Sequence, residues 1–165
     1  MSDEQSAAQF IYLMDAMQQN GFEHYEISNF CKPGAYSRHN SNYWNGVKYL
    51  GIGPSAHSYN GETRQWNIAN NGKYIQAIES GNIPAETEVL TETNRLNEYV
   101  MTSLRTAKGL DLDRLNTIAA ASANQLLIEA EPFFDKAWIE QEQQIIRLTQ
   151  AGKLYADHIA AELFF

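Results

Sequence analysis

The amino-acid sequence predicts an α+β fold, with short strands concentrated in its first half and helices in its second. Two short apolar runs, at 25–30 and 49–52, have the length and composition of strands. From residue 91 onward, apolar residues instead recur every three or four positions, which is the spacing of helices that bury one face.

The boundary between the two patterns is predicted at 82–89, a stretch that contains Pro84. A chain of 165 residues is long enough for one domain or for two small ones. We therefore predict two domains, residues 1–84 and residues 85–165.

An amphipathic helix is predicted at 2–20. Ser2 and Gln5 have the spacing of a capping box, and Gly21 stands where a left-handed C-terminal cap would lie. The next predicted elements are a strand at 25–30, a polar loop at 35–48 and a second strand at 49–52. A hairpin about Asn60-Gly61, at 56–68, and a short helix at 73–80 follow.

In the second half, Thr91 and Asp111 are predicted N-caps, because short polar side chains accept hydrogen bonds from the first free N–H groups of a helix. Three helices are predicted at 91–108, 111–118 and 123–131, and Pro132 stops the third. A small hairpin at 145–155 and a final helix at 157–163 follow. Three helices, a hairpin and a closing helix resemble a winged-helix arrangement.

The charge of the chain argues against a nucleic-acid partner. The formal net charge is −8, and residues 85–165, with seven basic and thirteen acidic side chains, carry −6 of it. Phosphate backbones repel such a surface. Although winged helices often bind DNA, this half is therefore predicted to serve packing or protein contact.

Cys31 is the single cysteine, which excludes an internal disulfide and a CxxC metal site within the chain. The first residues lack the basic and apolar parts of a signal peptide. No segment approaches the roughly 18 consecutive apolar residues that a membrane span needs. We therefore predict a cytoplasmic protein without a membrane span.

Candidate functional residues concentrate between residues 25 and 59, where aromatic, histidine and glycine residues are densest. His39, Asn40, Tyr43 and Trp44 match the motif H-N-x-x-Y-W at every fixed position. Polar and aromatic side chains on loops between strands are a common setting for a site.

This motif, the preceding run YEISNF–KPG and the glycine-rich run YLGIGPSAHSY at 49–59 together resemble one family. It is the oxygen-independent coproporphyrinogen III oxidase-like radical SAM family, and the motif resembles its bacterial heme-chaperone branch. The resemblance covers the C-terminal part of such proteins. It implies a C-terminal fragment of a partial (β/α) radical SAM barrel, followed by a small winged-helix-like domain.

In this family the catalytic half comes first and carries a CxxxCxxC loop for a [4Fe–4S] cluster that cleaves S-adenosylmethionine. The present sequence has no such loop, and one thiolate cannot hold a cluster that needs several. We therefore expect S-adenosylmethionine and the cluster only in the full-length parent, and no radical chemistry from this chain alone. The implied partners are heme or porphyrin, the N-terminal half of the parent and heme-acceptor proteins.

The resemblance also implies roles for individual residues. The motif residues His39, Asn40, Tyr43 and Trp44 are predicted to bind heme, with His39 as a possible axial ligand of the iron. Ser55, Ala56 and His57 are predicted to line the central pocket. Arg38 and Arg64 are predicted to bind propionates.

Purely structural roles for the same residues are the alternative. His39 and Asn40 would then tie the loop down, while Tyr43 and Trp44 fill the core, and a tight turn alone explains the glycines before His57. At the level of function, the alternatives to a heme chaperone are a true oxidase that decarboxylates the propionates of coproporphyrinogen III and a stand-alone winged-helix interaction module.

Overall fold

A computed structural model describes residues 2–165 and shows helices mixed with antiparallel strands, which confirms the α+β class. The helices are α1 (Asp3–Gln19), α2 (Arg38–Trp44), α3 (Asn71–Glu79), α4 (Glu92–Leu104), α5 (Leu112–Ile118), α6 (Ser122–Asp135) and α7 (Ala156–Glu162). The strands are β1 (Glu23–Glu26), β2 (Asn29–Cys31), β3 (His57–Tyr59), β4 (Thr63–Asn67), β5 (Ala85–Val89), β6 (Leu110–Asp111), β7 (Ile139–Glu142) and β8 (Ile145–Leu148). A 3-10 helix spans Gly152–Tyr155.

The described chain forms two compact units. Unit 1 combines the residues up to Asn45 with Glu92–Phe165, and unit 2 is Gly46–Thr91. Unit 1 contains the β1-β2 hairpin and a three-stranded sheet in the order β6-β8-β7, whereas unit 2 contains a sheet in the order β3-β4-β5. The predicted domain boundary after residue 84 stays a prediction.

Unit 1 has a core built by α4 to α7 and the β6-β8-β7 sheet. Leu96, Val100 and Leu104 recur every four residues along α4 and are all buried, as the helical spacing predicts. Asp111 caps α5 as predicted, and its carboxylate accepts hydrogen bonds from the N–H groups of Asp113 and Arg114 at 2.9 and 3.3 Å.

The predicted first helix is confirmed in its extent and in both of its ends. The Ser2 hydroxyl accepts a hydrogen bond from the Gln5 N–H at 3.3 Å, and the Gln5 side chain accepts one from the Ser2 N–H at 3.2 Å. Gly21 has φ +70°, the left-handed conformation that a C-terminal cap requires. Met14 is the buried residue of α1.

Two predictions in the first half are wrong. The predicted strand at 25–30 is a hairpin, in which β1 and β2 pair antiparallel around Ile27 and Ser28. The predicted loop at 35–48 contains α2, whose N-cap Ser37 accepts a hydrogen bond from the Asn40 N–H. A helix of seven residues with no buried side chain carries no apolar periodicity by which it could be recognised.

In unit 2, the hairpin about Asn60-Gly61 and the helix at 73–80 are confirmed by β3, β4 and α3. The Asn60 side chain accepts hydrogen bonds from the N–H groups of Glu62 and Thr63 at 2.9 and 2.7 Å, which fixes the turn. The predicted strand at 49–52 is wrong beyond its first residue, because within 49–52 only Tyr49 is paired, in a single bridge to Tyr59.

Two further predictions fail in the second half. Pro132 lies inside α6, which continues to Asp135, and the next residue, Phe133, is buried in the core. The predicted hairpin at 145–155 is wrong because β8 pairs with β7 and 152–155 forms the 3-10 helix. None of the helices in residues 2–165 combines the length and apolar character needed to cross a membrane.

Candidate functional site

The motif H-N-x-x-Y-W forms most of α2, and hydrogen bonds between side chains hold that helix in place. The indole N–H of Trp44 donates to the side-chain oxygen of Asn40 at 3.0 Å. The amide nitrogen of Asn40 lies 3.5 Å from the Tyr25 hydroxyl, at the long limit for a hydrogen bond. Asn40 therefore links one turn of α2 to the β1 strand. This is the structural role that the sequence analysis gave as the alternative for Asn40.

Trp44 also contacts a charged network. The guanidinium of Arg105 lies over the Trp44 ring, 5.2 Å from its centroid. Arg105 donates to the Glu26 carboxylate through Nε and Nη2, both at 3.2 Å, and a third nitrogen contacts Asp157. The Glu26 side chain is buried, with 1% of its surface exposed, so this ion pair is shielded from solvent.

Backbone hydrogen bonds fix the same junction. The Ile27 N–H donates to the Arg105 carbonyl at 3.0 Å, and the Ala107 N–H donates to the Tyr25 carbonyl at 3.1 Å. The β1-β2 hairpin is therefore joined to the segment that follows α4 through its main chain as well as through Glu26. Residues 106–108 of this segment form one wall of the site.

A cavity of about 660 Å³ lies between α2, the β1 strand and this segment. Its size falls in the range of small-molecule sites, roughly 300–1,000 Å³. Its lining combines three aromatic rings with polar and charged groups. The lining residues are Glu23, His24, Tyr25, Tyr36, Arg38, Ser41, Asn42, Trp44, Asn45, Thr106, Ala107 and Lys108.

The structure divides the predicted heme-binding residues between two faces of α2. Arg38 and Trp44 line the cavity. His39 and Tyr43, one helical turn apart, are both exposed, with 51% of the Tyr43 surface accessible. Tyr43 therefore does not fill the core, contrary to the structural alternative. Its ring contacts that of Trp44 edge-on, with 5.0 Å between centroids.

The other predicted site residues belong to unit 2. Ser55 has φ +60°, an uncommon conformation for a residue with a side chain, and its N–H donates to the Ile68 carbonyl at 3.2 Å. Ala56 accepts a hydrogen bond from the Asn67 N–H. His57 begins β3 and is exposed, and Arg64 lies half-buried on β4. Their predicted pocket and propionate roles stay predictions.

His24, which also lines the cavity, is held as a neutral imidazole. Its ring stacks on Phe30 with 4.1 Å between centroids, and Nε2 lies 2.9 Å from the Ile27 carbonyl, so Nε2 carries the proton. Nδ1 then accepts a hydrogen bond from the Lys153 ammonium at 3.2 Å. Burial lowers the pKa of His24, and the Lys153 charge adds to that effect, outweighing the hydrogen bond to Ile27 and the charge of Glu26.

This arrangement predicts a pH-dependent contribution to stability. Because the folded-state pKa of His24 lies below 6.5, the unfolded chain takes up the proton first as the pH falls. The His24 contribution is thus complete above pH 6.5 and is lost below it. In urea unfolding at pH 7.5 and 5.5, we expect wild type to lose more stability than His24→Gln over this interval. His158→Gln should follow wild type, and equal losses in wild type and His24→Gln would contradict the prediction.

The residues present do not fit an iron–sulfur cluster. Within residues 2–165, no group of three or more histidine, cysteine or acidic side chains is arranged to hold a metal ion. Cys31 is buried in β2, and desolvation raises the pKa of its thiol, which disfavours the thiolate that a metal needs.

Comparison with known proteins shows which proteins the chain is similar to. Residues 90–155 match the model of the HemN C-terminal domain. The chain is 32% identical over 163 residues to heme chaperone HemW of Mycobacterium tuberculosis and 31% identical over 158 residues to that of Bacillus subtilis. These alignments cover 98% and 94% of the chain and 40% and 42% of the relatives. The chain is thus similar to heme chaperone HemW over nearly its whole length and, at residues 90–155, to the HemN C-terminal domain.

A solved structure of coproporphyrinogen III oxidase (HemN) from Escherichia coli, described as a radical SAM enzyme, has the same fold. It superposes with a TM-score of 0.70 at 19% identity, over 93% of this chain and 39% of that one. The HemN-like resemblance predicted from the motif and the glycine-rich run is therefore confirmed. The chain spans about 40% of the length of the curated relatives that it matches.

The match to the HemN C-terminal domain runs from Leu90 to the end of the 3-10 helix. The motif helix α2 precedes that domain and lies within the span aligned with HemW. Sequence reasoning missed three residues that shape the site, Glu26, Arg105 and Lys108. The structure buries the Glu26 side chain and pairs it with Arg105.

Proposed function

We propose that this chain is the C-terminal part of a radical SAM heme chaperone and that α2 binds heme. The observation that carries the proposal is the exposed pair His39 and Tyr43, one turn apart on a helix that Asn40 and Trp44 anchor. An imidazole is a common axial ligand of heme iron, and an adjacent phenol ring offers a flat apolar surface. The names of the HemW relatives support the same ligand.

The residues beside this pair suit the remaining parts of a heme. Arg38, the first residue of α2, is exposed at the cavity and offers a guanidinium to a propionate. That Ser55, Ala56 and His57 line the central pocket, and that Arg64 contacts a propionate, are separate parts of the proposal. When bound, heme brings iron, whose open coordination position would take the His39 imidazole.

We further propose that the parent protein carries S-adenosylmethionine and a [4Fe–4S] cluster in its N-terminal half. The chain would then comprise the end of a partial (β/α) barrel and a winged-helix-like domain. The order α4, β6, α5, α6, β7, β8 with a β6-β8-β7 sheet supports the second part of this proposal. The proposal also includes a cytoplasmic location and heme-acceptor proteins as partners. It includes no nucleic-acid partner, because residues 85–165 carry a formal charge of −6.

Titration of the 165-residue chain with ferric heme tests the central proposal. Wild type should shift the Soret band of heme on binding, and His39→Ala should weaken binding by about tenfold, equivalent to ~1.4 kcal/mol, because an axial ligand is lost. His158→Ala is the matched control, since it removes an exposed histidine from another helix. Heme binding that His39→Ala leaves unchanged would remove α2 from the site.

A second candidate is an oxidase that decarboxylates the propionates of coproporphyrinogen III, which the likeness to HemN favours. The two candidates differ in the tetrapyrrole that they bind. A chaperone should prefer heme to iron-free coproporphyrin III, and its preference should depend on His39. Equal affinity for the two, independent of His39, would favour the oxidase.

A further inference from the structure

The cavity beside α2 has a charge opposite to that of the chain as a whole. Two of its lining residues, Arg38 and Lys108, are cationic, although the formal net charge of the chain is −8. Its one carboxylate, that of Glu23, accepts a hydrogen bond from the Tyr36 hydroxyl, and this bond raises the pKa of Tyr36. The cavity therefore presents an excess of positive charge.

Lys108 is held at one end of α2 and Arg38 lies at the other. The Lys108 ammonium donates to the side-chain oxygen of Asn45, the C-cap of α2, at 3.0 Å. Arg38 is the first residue of the helix, and seven residues of α-helix separate the two positions by about 10 Å along the axis. A ligand lying along this face of α2 would meet one cation near each end.

Aromatic rings supply the apolar part of the same cavity. Tyr25 and Tyr36 contact each other edge-on with 5.4 Å between centroids, and Trp44 closes another side. Flat rings beside two cations suit the edge of a planar apolar molecule where that edge carries negative groups.

We propose that this cavity recognises the carboxylates of a planar tetrapyrrole and that Lys108, with Arg38, is a carboxylate-binding residue. This inference rests on the proposed function and assigns a role to Lys108 that neither the motif nor the family match assigns. Lys108 acts as a point charge that Asn45 orients, whereas Arg38 offers paired N–H groups. Neither contact involves the iron.

Iron-free porphyrins separate this inference from the role of His39. Protoporphyrin IX carries two carboxylates, and its dimethyl ester has the same ring without them. Added to the 165-residue chain, protoporphyrin IX should quench tryptophan fluorescence with an affinity about fivefold weaker in Lys108→Gln, because a charge-assisted contact is lost. The same substitution should leave affinity for the dimethyl ester unchanged. Lys73→Gln, which removes an exposed lysine from α3, should match wild type with both probes.

The outcomes distinguish the two proposals. Binding of protoporphyrin IX that Lys108→Gln leaves unchanged, or an equal loss of affinity for the acid and its ester, would overturn the role of Lys108. If heme binding nevertheless depends on His39, the proposed function stands without it. A wild-type chain that binds neither heme nor porphyrin would overturn both.

Discussion

Replacing Glu26 by alanine is expected to lower the free energy of unfolding by about 3–5 kcal/mol, because it breaks a buried ion pair and leaves Arg105 with only the exposed Asp157 as a charged partner. Only 2% of Glu26 is exposed, and its carboxylate accepts hydrogen bonds from Arg105, from the Ser28 N–H and from the Asn29 side chain. Alanine removes every one of these acceptors at once. Urea unfolding followed by circular dichroism measures the loss.

The chain provides a matched control for Glu26. Glu142 also pairs with an arginine, Arg147, at 3.0 Å, but 79% of its side chain is exposed. Solvent screens such a pair, so Glu142→Ala should change stability by less than about 1 kcal/mol. If Glu26→Ala destabilises the chain no more than Glu142→Ala does, burial does not determine how much the Glu26–Arg105 pair contributes to the free energy of unfolding.

The expected loss at Glu26 extends to the functional site. Arg105 lies over the Trp44 ring as well as against Glu26, so it joins the hairpin to the motif helix. Without Glu26, only Asp157 would hold the Arg105 guanidinium, so we expect the contact between Arg105 and Trp44 to weaken. The buried pair thus acts as a positioning element for α2 without contacting a ligand itself.

The features that sequence predicted correctly are those that neighbouring residues determine. The capping box of Ser2 and Gln5, the cap at Asp111 and the turn at Asn60-Gly61 each depend on side chains within three residues of the backbone groups that they bind. Such short-range hydrogen bonds leave a readable spacing. The H-N-x-x-Y-W motif is also local, since it occupies six consecutive residues, but it was its resemblance to a family that marked it as a site.

The features that sequence missed depend on residues far apart in the chain. Glu26 and Arg105 are 79 positions apart, and no local spacing indicates that they pair. The site was mispredicted in one further respect, because residues 35–48 were assigned to a loop. Only as a helix does this segment place His39 with Tyr43 on one face and Asn40 with Trp44 on another.

Gly152→Ala is expected to destabilise the chain by about 4 kcal/mol or more, which is a rare magnitude for adding one methyl group. A Cβ built on Gly152 would lie 2.7 Å from the carbonyl carbon of Trp138 and would overlap its oxygen. That oxygen also accepts a hydrogen bond from the Thr149 N–H at 2.9 Å, so the backbone on both sides is fixed. The 3-10 helix could accept a methyl group only by moving away from the start of β7.

Gly72→Ala is the control for the effect of adding a methyl group to a glycine. Gly72 lies in α3, has no positive φ, and its Cβ would approach only the Asn70 side chain, at an ordinary 3.5 Å. Alanine is preferred to glycine in a helix by up to about 1 kcal/mol, so Gly72→Ala should be neutral or stabilising. Measured side by side in urea, the two variants should therefore differ in sign or by several kcal/mol. A Gly152→Ala chain as stable as Gly72→Ala would mean that the 3-10 helix does not pack against Trp138.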